Sequence, residues 1–119
     1  MAIPMSNAED LNPADLLRHY QAEFGVTADE AAELFQILEQ NLRDIRQLLV
    51  DSLRTGDREK IGRAGHSLKG LAGQAGLTVL AGHGAALEMA AEAECREVAN
   101  DVLRHLEQWL TRAATAPAG

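Results

Sequence analysis

His66 and Lys69 lie three residues apart in a stretch patterned as a helix, which puts an imidazole and an ammonium on one face, a turn from each other. Near neutral pH a large fraction of any exposed imidazole is uncharged and nucleophilic, so it can attack a phosphoryl group on a carboxylate without a dedicated base. The lysine can swing toward a group on the ring and offset the charge of a bound phosphoryl. Loose phosphoryl transfer needs chiefly positioning and charge stabilisation, so the metal and the aspartate can belong to a partner. Such a chain supplies a nucleophile, a cation and a docking surface.

The helix that carries His66 has its apolar set at Ile61, Ala64, Leu68, Leu71, Ala72 and Ala75. Projected at about 100° per residue from Ile61, these cluster between about 280° and about 20°, whereas His66 falls at about 140°, away from the core. Lys69, Gly62, Gly73 and Gly70 surround it on that outer face. With Gly65, the helix holds four glycines, which give up roughly 3–4 kcal/mol of helix propensity against alanine at exposed sites. Bare backbone around His66 would let another protein's surface approach the ring closely.

The elements that position this helix follow from the punctuation. Asn12 and Pro13 read as an N-cap and a first-turn proline, opening a short helix that Gly25 closes. Thr27 and Glu30 have the spacing of a capping box, and Ala31, Leu34, Leu38, Leu42, Ile45, Leu49 and Leu53 then repeat every three or four residues up to Gly56. Asp57 can cap the third helix, which Gly76 stops. The fourth places Leu77, Leu80, Gly84, Leu87 and Ala91 on its apolar stripe; the fifth, from about Glu94 to Arg112, uses Cys95, Ala99, Val102, Leu106, Trp109 and Ala113. Four such helices of about 16–28 residues, joined by short turns, predict an all-α, antiparallel up-down four-helix bundle with a short additional N-terminal capping helix. The domain is expected over residues 12–113. Residues 1–11 and 114–119 lack periodicity and are expected to be a flexible N-terminus and C-terminal tail.

Composition agrees with this class and narrows the function. Apolar residues make up 46% of the 119 and aromatic residues 3%, a balance that favours packed helices over sheets. The net charge of −7, from 11 basic and 18 acidic residues, would repel a nucleic-acid backbone. A lone cysteine, no opening signal segment and no long apolar run lead to the expectation of a cytoplasmic protein with no membrane partner. Cys95 falls on an apolar stripe and reads as a small core residue, and His19, His83 and His105 read as structural or surface residues. The paired Glu-x-x-His motifs of a di-iron bundle are absent from the sequence, so no metal of its own is expected.

The stretch Ala64-Gly65-His66-Ser67-Leu68-Lys69-Gly70 resembles the A-H-x-L-K-G motif of the histidine phosphotransfer (HPt) family, apart from the glycine before the histidine. Leu71-Ala72-Gly73-Gln74-Ala75-Gly76-Leu77 is similar to the family's small-residue run and turn, and Leu80 followed by Leu87-Glu88 to its L...LE pattern. Leu49 through Gly56-Asp57 is similar to the helix and turn that usually precede the motif, so the resemblance covers roughly residues 30–110. It implies His66 as phosphoacceptor, Lys69 as the phosphoryl-stabilising lysine and Glu88 as a residue that orients the ring. Gly62, Gly70, Gly73 and Gln74 would then form the docking face for a receiver. The implied activity is that of a phosphocarrier relaying phosphoryl between receiver-domain aspartates, or from a kinase, with no autonomous kinase or phosphatase activity. The implied partners are response-regulator receiver domains or a hybrid histidine kinase, with Mg2+ on the receiver and no cofactor on this chain. Met1 and the unpatterned ends favour a stand-alone carrier. The alternative is a helical interaction bundle that binds a receiver or another helical partner without accepting phosphate.

Overall fold

The computed structural model describes residues 12–90 and 94–114. The expectations for residues 1–11 and 115–119, and for Ala91, lie outside that range. Among the described residues five helices and no strand occur: α1 Pro13–Phe24, α2 Ala28–Thr55, α3 Arg58–Gln74, α4 Thr78–Met89 and α5 Cys95–Ala114.

The helix ends follow the side chains that satisfy their backbone. The Asn12 side chain accepts from the Asp15 amide at 2.9 Å, with Pro13 in the first turn of α1. At the start of α2 the Glu30 amide donates to the Thr27 hydroxyl at 3.1 Å, and the Thr27 amide donates to the Glu30 carboxylate at 2.9 Å. Gly56, at φ 71°, turns the chain so that the Asp57 amide reaches the Ser52 carbonyl at 3.0 Å. Asp57 at once caps α3 by accepting from the Lys60 amide at 3.1 Å.

Two elements differ from the sequence expectation. Helix α4 has only 12 residues, because Ala90 is extended at φ −63° and ψ 136°. No glycine or proline marks that break; the chain must leave the α4 axis before Cys95 can start α5 against it, and this packing overrides the helix propensity of Ala90. At the other end, α5 includes Ala114, one residue past the expected domain limit.

The α2 stripe also shifts at one position. Leu34 is 38% exposed, and Phe35 is buried with its ring centroid 5.9 Å from that of Trp109. Ala31, Phe35, Leu38, Leu42, Ile45 and Leu49 form an unbroken alternation of four and three, and Leu34 sits about 100° away from Phe35 around the axis. Leu16, Leu42, Leu49, Leu68, Leu77, Leu106 and Trp109 lie at the centre of the core, with Cys95 buried at its edge.

Helix α2 packs on α3, α3 on α4, α4 on α5, and α5 returns to α2, while α1 lies on α2. The tightest approach is between α3 and α4 at Gly65 and Gly84. A Cβ on Gly65 would stand 2.8 Å from the Gly84 carbonyl oxygen and 2.8 Å from the Glu88 amide nitrogen. Gly65 is therefore a packing residue rather than part of the open glycine face, and its absent side chain is a condition of the helix contact. Its angle of about 40° from Ile61, at the edge of the apolar arc, is the signal that separates it from the other three glycines.

Candidate functional site

The Gly65–Gly84 contact sets the geometry of the site. Lys69 lies one turn after Gly65 on α3, and Glu88 lies one turn after Gly84 on α4, so closing the two backbones at the glycines brings these side chains within reach of each other. His66 Nδ1 is 2.7 Å from Glu88 Oε2, and Lys69 Nζ donates to Glu88 Oε1 at 2.6 Å. One carboxylate thus serves both groups. The imidazole itself stands clear of the helix, with its side chain 70% exposed.

The electrostatics fix the ring. The Lys69 hydrogen bond, and after it the hydrogen bond from His66, hold the Glu88 carboxyl below the usual glutamate range. Glu88 is therefore ionised at neutral pH and can only accept. Nδ1 must carry the proton in that contact, which leaves the lone pair of the neutral ring on Nε2. A ring held this way can attack an electrophile through Nε2, and the positive charge that develops on the ring is met by Glu88.

Around the ring the backbone is open. A Cβ at Gly62, Gly70 or Gly73 would meet nothing within 4 Å, and Gln74 is exposed on the same helix. Two features escaped the sequence reading. Gly84 reads there as one more stripe position, although its partner is the backbone of Gly65 and Lys69. Phe24 and Ile37 are 53% and 60% exposed and, with Leu34, Leu71 and Gln74, line a shallow apolar groove at the C-terminal end of α3. Periodicity alone cannot find such a groove, because its residues come from three helices. A second groove, of about 380 Å³, runs from His66 toward the N-terminal end of α3.

Among the described residues, no group of three or more His, Cys, Asp or Glu side chains is arranged to hold a metal ion, and no helix is long and apolar enough to cross a membrane. His83 and His105 stack with centroids 4.2 Å apart between α4 and α5. Compared with known families, residues 27–116 of the 119 match the Hpt domain, a span that runs from the N-cap of α2 through α5. No curated protein and no solved structure matches the chain.

Proposed function

Since the chain belongs to the Hpt domain family, whose domains carry phosphoryl groups in two-component phosphorelays, we propose that it relays phosphoryl between receiver-domain aspartates, or from a kinase, through Nε2 of His66. The observation that carries this reading is the shared carboxylate of Glu88, which holds Nδ1 of an exposed ring on one oxygen and Lys69 on the other.

In the forward step Nε2 attacks the phosphorus of an aspartyl phosphate. The N–P bond forms, the P–O bond to the aspartate breaks, and the carboxylate leaves with its electron pair. The proton on Nδ1 stays in place, and the cationic phosphoimidazole keeps Glu88 as its counter-charge. Lys69 reaches the phosphoryl oxygens from one turn away. The reverse step, onto a second receiver's aspartate, uses the same groups. Mg2+ belongs to the receiver, and the chain acts as a carrier without kinase or phosphatase activity of its own.

Receivers dock over Gly62, Gly70, Gly73 and Gln74, and the exposed side chains of Phe24, Leu34 and Ile37 continue that face as apolar contact. We read α2 to α5 as an antiparallel bundle capped by α1, supported by the cyclic packing of α2, α3, α4, α5 and back to α2.

The test is incubation with a phosphorylated receiver domain. The expected product is an acid-labile, base-stable phosphohistidine that disappears in His66→Gln. Label that survives this substitution rejects the reading, and receiver binding without transfer in either direction favours the non-catalytic bundle.

A further inference from the structure

On the premise of that phosphotransfer reading, we propose that the groove running from His66 toward the N-terminal end of α3 is a specificity slot for an acidic segment of the receiver, held by Arg58 and Arg63. The floor is apolar where Leu87 and Cys95 are buried, and Gly62 leaves one wall bare. Arg58 and Arg63 stand on its rim, on the opposite side of His66 from Lys69 in sequence.

Both arginines are available. Arg58 forms no ion pair among the described residues. Arg63 is paired only with Glu59, at 3.4 Å and with both side chains mostly in solvent, so exchanging that carboxylate for a partner's costs little. Each can offer a planar fork to a carboxylate.

Charge complementarity selects the occupant. Two arginines on one rim, neither held by a buried carboxylate, match free carboxylate side chains on the face that a receiver turns toward His66. The chain as a whole carries −7, which repels such a face over most of its surface. Cations beside the nucleophile then decide where, and in which orientation, the receiver lands. Lys69 serves the phosphoryl, while Arg58 and Arg63 serve the body of the partner.

The experiment compares wild type with the double variant Arg58→Glu, Arg63→Glu, using a Mg2+-loaded receiver domain. Initial transfer rates and receiver Kd are measured from low to physiological salt, with partner-free labelling by phosphoramidate as control. The expected result is a KM or Kd about ten- to a hundredfold higher, a nearly unchanged kcat, a lost salt dependence and unaltered phosphoramidate labelling. Arg58→Gln, Arg63→Gln should fall between. Unchanged KM, Kd and salt dependence overturn the slot, as does an equal loss of phosphoramidate labelling, which would place the effect on His66 itself. A wild-type dimer in sedimentation that the charge reversal dissociates assigns the groove to a second copy and also overturns it. If wild type takes no label from any donor yet binds the receiver through these charges, the slot stands and the phosphotransfer reading falls.

Discussion

Gly65 and Gly84 face each other so closely that a Cβ on Gly84 would stand 2.7 Å from the Gly65 carbonyl oxygen and 2.5 Å from the Lys69 amide nitrogen. The neighbours are backbone atoms, which cannot swing aside, so a methyl group at either position must move one helix relative to the other. Because Lys69 and Glu88 each follow one of these glycines by a turn, the crossing point and the site geometry are one constraint.

Gly84→Ala is therefore expected to destabilise the fold by about 1–3 kcal/mol and to lengthen the contacts of Glu88 with His66 and Lys69. Gly73→Ala, which enters open space on the same pair of helices, should instead gain up to about 1 kcal/mol of helix propensity. Denaturant unfolding of the two variants gives opposite signs if the crossing is as described.

Lys69→Ala should leave the fold intact, since its side chain is 43% exposed and its only described partner is Glu88. Transfer from a phosphorylated receiver should fall on the order of tenfold or more, as one charge-stabilising donor is lost. A rate equal to wild type would remove Lys69 from the chemistry.

The Glu88 carboxyl is held below its ordinary value of 4.5 by Lys69 first and His66 second, so these bonds favour its charged form. A depressed carboxyl contributes stability that is complete above the ordinary value and is lost as pH falls through the lowered one. The part of the stability difference between wild type and Glu88→Gln that comes from the Glu88 carboxylate should therefore be complete above about 4.5 and shrink as pH falls below it. Parallel denaturation curves of the two proteins below about 4.5 check the sign; a difference that grows there on further acidification contradicts it.

Ile37 and Trp109 provide a contrast between docking surface and core. Trp109 is 1% exposed against Phe35, and Trp109→Ala should cost about 3–5 kcal/mol. Ile37 is 60% exposed, so Ile37→Ser should change stability by no more than about 0.5 kcal/mol while raising KM for the receiver. Thermal unfolding paired with transfer kinetics separates the two effects.

The sequence by itself determined what depends on neighbours a few residues apart. The caps at Asn12, Thr27 and Asp57, the closing glycines 25 and 56 and the outward direction of His66 follow from helical periodicity and from side chains that reach their own backbone. It also brought His66 and Lys69 to one face of α3, because a helix turns once in about 3.6 residues. Tertiary structure alone decided the rest. Glu88 lies 22 residues from His66, where only the family resemblance pointed to it, and its approach depends on the absence of two side chains at Gly65 and Gly84, a condition that binds two helices and that periodicity marks only at Gly65, at the edge of the apolar arc. Leu34 left the core for the same kind of reason: both it and Phe35 fit an apolar stripe, and the position of Trp109 on α5 chose between them.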